Sequence, residues 1–358
     1  MATIKVLIVD DSSIMRNLLS ALLSAEPDIE VVGTAPDPYV AREKLVSLQP
    51  DVMTLDIEMP KMDGISFLEK VMKHFPTRTI IISSLSTHGS MEALRAFELG
   101  AIDVIAKPTV DLSGSLNKMR NEIVARVRTA ATAKIKIRNQ TAPPLSPSLI
   151  AERMKLDSAY FTQKIAHQVV AIASSTGGIA ALTTVLTSLP KQIPPILVVQ
   201  HMPAVFTKIL AEKLQRSLPF EIREATSQDI LKPNLVLLAP GDFHMEVVQP
   251  KPGEFGIRLN QNPPLYNVRP AADYLLNSVA KHIGKNAVGV VLTGMGRDGA
   301  KGLQAMKAAG SFNIAQNEET CVVFGMPKVA ITLGAIHKIL PIEEIGREII
   351  DYCLSKKD

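Results

Sequence analysis

Short apolar runs alternate with amphipathic segments along this chain, and that alternation limits the folds it can adopt. In the first third the apolar runs are Val6–Val9, Val31–Val32, Val52–Leu55, Ile80–Ile82 and Val104–Ala106. Segments with helical spacing lie between them, at Ser13–Ala25, Val40–Leu48, Ser66–His74 and Met91–Leu99. Apolar strands that alternate with helices form a parallel sheet covered on both faces. The pattern predicts a flavodoxin-like doubly wound α/β domain over residues 1–124.

The same alternation resumes in the second half of the chain. The predicted strands there are Gln168–Ala173, Ile196–Gln200, Leu235–Leu238 and Val288–Leu292. The predicted helices are Ala180–Leu189, Lys208–Arg216, Ala271–His282 and Gly299–Ala309. This predicts a second, larger doubly wound parallel-sheet domain over residues 165–358.

Residues 125–164 follow neither pattern and are predicted to form a linker. They contain the cluster Thr141-Ala-Pro-Pro-Leu-Ser-Pro147, which a helix or a central strand would not accept. Between residues 126 and 164, eight lysines and arginines face two acids, so the chain's net charge of +4 is concentrated there. A solvated connector fits this composition, and so does a basic strip that docks on an acidic receptor surface or on anionic lipid. Because only Tyr160 and Phe161 are aromatic in this segment, no nucleic-acid platform is expected.

Cysteine content and hydropathy indicate the compartment. Cys321 and Cys353 give neither a disulfide framework nor a metal-ligand spacing, which suits a reducing cytoplasm. The first ten residues lack the features of a secretory signal. No run approaches the roughly 18 apolar residues of a spanning helix. We therefore expect a soluble, cytoplasmic protein that is not inserted in a membrane.

Polar side chains follow the predicted strands of the first domain. Asp10 and Asp11 follow the first strand, Asp56 the third, Ser83 the fourth and Lys107 the fifth. The carboxyl ends of parallel strands meet at one edge of the sheet, where ligands bind. Three carboxylates at one place repel each other unless a hard cation such as Mg²⁺ joins them. With a hydroxyl and an ammonium nearby, they predict a site for phosphoryl transfer to Asp56.

This set, Asp10-Asp11, Asp56, Ser83 and Lys107-Pro108, resembles the signature of response-regulator receiver domains. The resemblance implies that Asp56 accepts a phosphoryl group from a chemotaxis histidine kinase. It also implies that Asp10, Asp11 and Asp56 hold Mg²⁺, and that Ser83 and Lys107 form the receiver switch. Val104 stands where many receivers carry an aromatic residue, so an aromatic rotamer switch is excluded at that position.

The first strand of the second domain runs into Ser174-Ser175-Thr176-Gly177-Gly178, followed by a helix. Such a turn presents a hydroxyl together with backbone N–H groups near a helix N-terminus. An oxyanion hole beside a nucleophile needs this geometry, and so does a phosphate cradle. The loop lacks the Walker and dinucleotide-binding patterns, but by itself it leaves both functions open.

Two further strand ends favour hydrolysis. His201 follows the strand Ile196–Gln200, and Asp298 lies in a glycine-rich loop after Val288–Leu292. Serine, histidine and aspartate at one sheet edge supply a nucleophile, a general base and a group that orients the base. Each has an alternative interpretation, since His201 could be structural and Asp298 could cap a helix. His244 is a rival base, which we interpret as structural or substrate-side.

Five motifs resemble the chemotaxis protein-glutamate methylesterase family. They are Ser175-Thr-Gly-Gly178, Gln200-His-Met-Pro203, Ala239-Pro-Gly-Asp-Phe-His244, Val288-Gly-Val-Val-Leu-Thr-Gly-Met-Gly296 and Ala315-Gln-Asn-Glu318. The resemblance implies that Ser175 is the nucleophile, His201 the base and Asp298 the orienting acid. It implies that the Thr176 and Met295 backbone amides flank the oxyanion and that hydrolysis needs no cofactor. The implied substrates are γ-glutamyl methyl esters, and also glutamines, on methylated chemoreceptor helices.

The chain departs from the family just before the nucleophile. It reads Ile172-Ala-Ser-Ser175 where the family usually reads Ile-Gly-Ala-Ser, so Ser174 adds a second hydroxyl. We expect the unphosphorylated receiver to restrict access to the catalytic site and phosphorylation to open it. The alternative is a non-enzymatic regulator that binds a nucleotide or another phosphate at residues 174–178. A DNA-binding output is disfavoured because residues 165–358 contain no evident basic recognition helix.

Overall fold

A computed structural model describes residues 3–83, 87–107, 116–135, 165 and 168–355. The chain divides into two compact units, Met1–Gln140 and Thr141–Asp358. Within the described ranges, none of the helices combines the length and the hydropathy needed to cross a lipid bilayer.

The first unit contains a five-stranded parallel sheet with the strand order β2-β1-β3-β4-β5. Its strands are β1 (Ile4–Val9), β2 (Ile29–Ala35), β3 (Val52–Asp56), β4 (Arg78–Ser83) and β5 (Asp103–Ala106). Its helices are α1 (Ser13–Ser24), α2 (Pro38–Leu48), α3 (Gly64–His74), α4 (Thr87–Leu99) and α5 (Leu116–Thr132). This is the predicted flavodoxin-like order.

Strand order fixes where the first unit can hold a ligand. β1 pairs with β2 on one side and with β3 on the other, so the winding direction reverses between β1 and β3. Ligands of doubly wound sheets bind beyond the carboxyl ends of the strands at this reversal. Side-chain caps begin the helices next to it, since Ser12 caps α1 and Asp63 caps α3. The carboxyl ends of β1 and β3 therefore border the expected crevice.

Helix α5 extends beyond the boundary predicted at residue 124. It continues to Thr132, and two arginines counted above with the linker pair with acids of the first unit. Arg126 lies 2.5 Å from Asp103 and 2.9 Å from Glu122. Arg128 contacts Glu26 and Asp28 at 2.8 and 2.5 Å. The first residues assigned to the linker thus belong to a helix of the first unit, and residues 136–164 lie outside the described part of the chain.

The second unit contains a seven-stranded parallel sheet with the strand order β14-β13-β12-β6-β7-β9-β8 and a separate antiparallel hairpin, β10-β11. Its strands are β6 (Val169–Ser174), β7 (Ile196–Gln200), β8 (Glu221–Glu224), β9 (Leu235–Leu238), β10 (His244–Lys251), β11 (Glu254–Asn260), β12 (Ala287–Val291), β13 (Phe312–Gln316) and β14 (Lys338–Leu340). Its helices are α6 (Gly178–Thr187), α7 (Ala204–Ser217), α8 (Ala272–His282), α9 (Ala300–Ala308), α10 (Met326–Thr332) and α11 (Ile342–Ser355), with a 3-10 turn at Gly284–Asn286.

The central strand of the second sheet is β6, whose residues are all buried. It pairs with β7 on one side and with β12 on the other, so the winding reverses between β6 and β12. The two α/β domains predicted from the sequence are confirmed. The loops after β6, β7 and β12 lie at the strand ends where a doubly wound sheet binds its ligand.

Candidate functional site

The reversal point of the first sheet carries an acidic cluster. One carboxylate oxygen from each of Asp10, Asp11 and Asp56 lies within 4.8 Å of the other two. Asp10 and Asp56 are each 1% exposed, whereas Asp11 is exposed. Asp10 Oδ1 accepts a hydrogen bond from the Ser12 amide, while the buried Oδ2 accepts none within the described residues. A buried carboxylate oxygen with spare acceptor capacity fits a hard divalent cation.

Lys107 completes this cluster from the end of β5. Its ammonium lies 2.6 Å from Asp56 Oδ2 and 3.5 Å from Asp10 Oδ2. Burial raises the pKa of Asp56 to about 6, against the opposing effect of Lys107. An added phosphoryl group at this edge would face an ammonium already in place.

Ser83 ends β4 beside this lysine and is 1% exposed. Its carbonyl accepts the Lys107 amide at 2.7 Å, which joins the ends of β4 and β5. Val104 is buried within β5. All five predicted residues of the first domain are thus brought to one sheet edge.

The serine loop of the second unit separates two neighbouring hydroxyls. Ser174 ends β6, is fully buried, and its hydroxyl donates to Gln200 Oε1 at 2.6 Å. Ser175 follows on the turn and is partly exposed. Gly177 adopts φ 75°, and a Cβ there would lie 2.5 Å from Val322 Cβ, so the turn requires glycine. Of the two serines, only Ser175 is partly exposed.

His201 and Asp298 come together beside this loop. The His201 amide donates to the Ser174 carbonyl at 3.1 Å, which holds the histidine next to the end of β6. The His201 ring bonds through Nε2 to Asp298 Oδ2 at 2.8 Å. Since a carboxylate accepts, Nε2 carries the hydrogen and Nδ1 is left as the basic nitrogen. Among the hydrogen bonds of the described residues, none joins the Ser175 hydroxyl to this ring; such bonds often tighten only when substrate binds.

Asp298 is 2% exposed and accepts from four donors. Besides His201, these are the amides of Ala272 and Asp273 at the start of α8, and the Gly299 amide. Burial alone would raise its pKa, but the hydrogen bonds from His201 and the α8 amides hold the pKa of Asp298 below its ordinary value. An ionised carboxylate at this position stabilises a protonated His201.

A second buried carboxylate, Asp273, lies next to Asp298. Burial raises its pKa, and the charge of Asp298 raises it further. Its Oδ1 accepts the Gly302 amide at 2.7 Å. The pKa of Asp273 is therefore raised and that of Asp298 lowered, which leaves Asp298 as the ionised partner of the histidine.

The glycine-rich loop after β12 packs directly on the serine loop. A Cβ at Gly294 would lie 2.7 Å from Ser175 Cβ, so glycine permits this approach. The Gly294 carbonyl accepts the Met326 amide, and the Thr293 hydroxyl donates to the Thr176 carbonyl at 3.0 Å. Met295 is 40% exposed on this loop. Thr176 and Met295 thus lie on two loops that meet at Ser175.

Sequence reasoning missed the buried polar residues that join these loops. Gln200 bonds the serine loop through both ends of its amide. Gln316 Oε1 accepts the Thr293 amide at 2.7 Å, which gives the motif Ala315-Gln-Asn-Glu318 a physical role. Both glutamines end apolar strands, and a buried amide at a strand end is the signal that could have revealed them.

His244, the rival base, is fully buried in the second unit. Its Nδ1 accepts the Ala271 amide at 3.1 Å, and its Nε2 lies 3.3 Å from the Pro263 carbonyl. The ring stacks on Tyr274 with the centroids 3.8 Å apart. Because one nitrogen accepts and the other donates, the ring is neutral and has no nitrogen left for catalysis. The geometry supports the structural interpretation of His244.

His244 also gives the second unit a pH-dependent stability. Burial lowers the pKa of His244 and, in the same direction, those of His282 and His337. The unfolded state therefore binds more protons than the folded state, and the free energy of unfolding should decrease as pH falls below about 6.5. His244→Asn keeps an acceptor for the Ala271 amide but removes one titrating ring, so we expect a flatter dependence. Calorimetric melting between pH 5.5 and 8 measures this, with the exposed His74→Asn as control; an unchanged slope in His244→Asn would contradict the assignment.

The folds and the two sites define a class of protein, a response regulator whose receiver precedes a catalytic domain. A family model described as the response regulator receiver domain matches residues 6–116, and one described as CheB methylesterase matches residues 170–349. The chain belongs to the CheB methylesterase family.

Relatives of known name match over nearly the whole chain. A protein-glutamate methylesterase/protein-glutamine glutaminase of Bdellovibrio bacteriovorus is 54% identical over 97% of this chain and 96% of its own length. A protein of the same name from Salmonella typhi is 41% identical over 98% of this chain and 97% of its own. The crystal structure of the Thermotoga maritima CheB methylesterase catalytic domain is 41% identical, with a TM-score of 0.51 over 52% of this chain and 98% of that chain.

Proposed function

We propose that this protein is a phosphorylation-activated serine hydrolase that removes methyl groups from glutamate γ-esters of chemoreceptors. We also infer that it deamidates receptor glutamines by the same chemistry. The observation that carries this proposal is the hydrogen-bonded pair of His201 and Asp298, which the His201 amide holds at the end of β6 next to the partly exposed residue Ser175. Relatives named for both activities support the choice of substrate.

In the proposed reaction the Ser175 oxygen attacks the ester carbonyl carbon while His201 Nδ1 takes the hydroxyl proton. The tetrahedral intermediate collapses, and the proton passes from His201 to the departing methoxide, which leaves as methanol. A water molecule then attacks the acyl-enzyme with His201 again as base. This step releases the glutamate γ-carboxylate and restores the Ser175 hydroxyl. Throughout, Asp298 holds the ring with Nε2–H toward its carboxylate.

The oxyanion of both tetrahedral intermediates needs hydrogen-bond donors fixed in advance. We assign this role to the backbone amides of Thr176 and Met295. Two contacts support the assignment: the Thr293 hydroxyl holds the Thr176 carbonyl, and the tight approach of Gly294 brings its loop onto Ser175.

The phosphate-cradle alternative is disfavoured by the loop's own hydrogen bonds. The Ser175 amide donates to the Thr293 carbonyl at 3.1 Å, and the Gly178 amide donates to the Ser175 carbonyl at 2.7 Å. Two amides that an anion would need are therefore already used.

We propose that the receiver controls this activity from the cytoplasm. In this account a chemotaxis histidine kinase phosphorylates Asp56, and Asp10, Asp11 and Asp56 hold the Mg²⁺ that would neutralise charge during phosphoryl transfer. Ser83 and Lys107 would then contact the phosphoryl group and report it. The proposed organisation is a receiver that ends with α5 at Thr132, a connector that follows it up to residue 164, and a catalytic domain over residues 165–358.

Phosphorylation at Asp56 yields a direct prediction. With Mg²⁺ and a small-molecule phosphodonor, methanol release from methylated receptors should rise in the wild type but not in Asp56→Asn, which lacks the acceptor oxygen. Chelation of the metal should abolish the rise in the wild type. The matched control is Glu69→Gln, an exposed acid on α3 that should respond as the wild type does. Full activation of Asp56→Asn would contradict the assignment.

A further inference from the structure

Ser174 supplies the additional hydroxyl just before the proposed nucleophile. This hydroxyl and the Gln200 side chain form a series of hydrogen bonds that ends at the Ser175 carbonyl. The Ser174 hydroxyl lies 2.6 Å from Gln200 Oε1. The other end of that amide, Nε2, donates to the Ser175 carbonyl at 2.9 Å. Ser174 is fully buried and Gln200 is 4% exposed, so these contacts are shielded from water.

The direction of the Gln200 amide is set by its partners. Nε2 faces the carbonyl of Ser175 and, at 3.4 Å, that of His201, and carbonyl oxygens can only accept. The amide must therefore present its NH₂ group to them and its oxygen to Ser174. The Ser174 hydroxyl has to donate, which fixes the amide from the other side. Strand pairing supports the arrangement, because Ser174 and Gln200 are opposite each other in β6 and β7.

A missing side chain makes room for this amide. A Cβ at Gly178 would lie 2.2 Å from Gln200 Oε1 and 2.8 Å from Ser174 Cβ. Glycine at the first residue of α6 thus allows the hydroxyl and the amide to meet.

The contact at the Ser175 carbonyl reaches the proposed oxyanion site through covalent geometry. That carbonyl accepts both Gln200 Nε2 and the Gly178 amide, so the peptide plane between Ser175 and Thr176 is held at its oxygen. Because a peptide unit is planar and trans, fixing its oxygen also fixes the direction of its N–H. The N–H of this unit belongs to Thr176, the proposed oxyanion donor.

We infer that Ser174 and Gln200 form a positioning clamp that aims the Thr176 amide at the developing oxyanion. This rests on the proposed roles of Ser175 and Thr176. Ser174 and Gln200 are positioning residues, since both act through the Ser175–Thr176 peptide. The Ser174 hydroxyl is absent from the usual Ile-Gly-Ala-Ser pattern. Through the clamp, it contributes to stabilisation of the transition state in this chain.

A double-mutant cycle on the full-length protein tests the clamp. Ser174→Ala, Gln200→Leu and the double variant are compared for kcat and KM on methylated receptors. A peptidyl boronate with boron at the place of the γ-carbonyl carbon reports the oxyanion site, because its tetrahedral adduct with Ser175 resembles the transition state. Ser311→Ala is the matched control, since Ser311 is 2% exposed and its hydroxyl donates to the Gly284 carbonyl at 2.7 Å, at the start of β13.

Ser174→Ala should lower kcat about three- to tenfold, the loss expected for one buried neutral hydrogen bond, with KM changed less than about twofold. Gln200→Leu should lower kcat about 10- to 100-fold, because the peptide plane then loses the side-chain donor at its oxygen. The double variant should be no slower than Gln200→Leu, because both substitutions break one clamp. The boronate should bind Ser174→Ala more weakly by the same factor as the fall in kcat/KM.

Two results would overturn the clamp. One is a Ser174→Ala variant that melts earlier, as Ser311→Ala should, yet keeps wild-type kcat and boronate affinity. The other is a double variant whose losses multiply, since Ser174 and Gln200 would then act independently. The Ser175→Ala variant in the same assays distinguishes a failure of the clamp from a failure of the proposed function. If Ser175→Ala stays active, the hydrolase assignment fails. If it is inactive while Ser174→Ala is unaffected, only the clamp fails.

Discussion

Ser175→Ala should reduce methanol release from methylated receptors by about 10⁴-fold or more, because removing the nucleophile of a triad leaves only binding and oxyanion stabilisation. Folding should change little, since Ser175 is partly exposed on its turn. Initial rates with receptors carrying labelled methyl esters measure the loss.

Ser174→Ala is the control for this experiment, because the two serines are adjacent but differ in environment. Ser174 is fully buried and bonded to Gln200, so its removal should cost about tenfold at most. A Ser174→Ala variant as inactive as Ser175→Ala, or an active Ser175→Ala, would contradict the choice of nucleophile.

Asp298→Asn should lower kcat by about 10⁴-fold and also destabilise the second unit. All four partners of Asp298 donate hydrogen bonds: His201 Nε2 and the amides of Ala272, Asp273 and Gly299. An asparagine must turn its NH₂ group toward two of these donors, whichever way the amide is placed. If NH₂ faces the ring, Nε2 becomes the acceptor and the proton moves to Nδ1, which can then no longer take the proton of Ser175.

The stability loss expected for Asp298→Asn is about 1–3 kcal/mol, because buried donors lose their acceptor. Calorimetry of the second unit's transition together with kcat separates this loss from the catalytic one. Asp351→Asn is the control, since Asp351 forms an exposed i,i+4 pair with Arg347 on α11 and should match the wild type in both measurements. An Asp298→Asn variant with more than about a tenth of wild-type kcat would contradict the orienting role of Asp298.

The grouping of site residues at the strand ends was predictable from the sequence, because a parallel sheet places the carboxyl ends of all its strands at one edge. Asp10, Asp56, His201 and Asp298 follow apolar runs whose strand character is strong, so their convergence needed no knowledge of strand order. The strand order explains why the two sites lie where they do. The winding of the first sheet reverses between β1 and β3 and that of the second between β6 and β12, and each site lies at its reversal point.

Elements with a weaker pattern could not be predicted in the same way. Helix α5 carries many charges, and its apolar residues Ile123, Val124 and Val127 are buried in a unit where the helix packs on the sheet and on α1. Arg128, which resembled a linker charge, pairs with acids about 100 residues away in the sequence. Strand β10 ends in the exposed residues Gln249, Pro250 and Lys251, so the apolar signal of the hairpin β10-β11 is short.

The polar contacts inside the active-site loops depend on strand register. Gln200 meets Ser174 because β6 and β7 pair at that position, and Gln316 meets Thr293 because β12 and β13 are neighbours. Neither pairing is readable from local spacing, since a shift of one residue would turn each side chain to the other face of its sheet.

Covalent trapping shows directly whether the Ser175 hydroxyl attacks the substrate with help from His201. The active enzyme is treated with a phosphonate that reacts with activated serines, and the modified peptide is identified by mass spectrometry. We expect one adduct, on Ser175, that appears as methanol release is lost and is absent from His201→Ala. Inactivation with the adduct on Ser174 or on any other residue would contradict the account, as would undiminished labelling of Ser175 in His201→Ala.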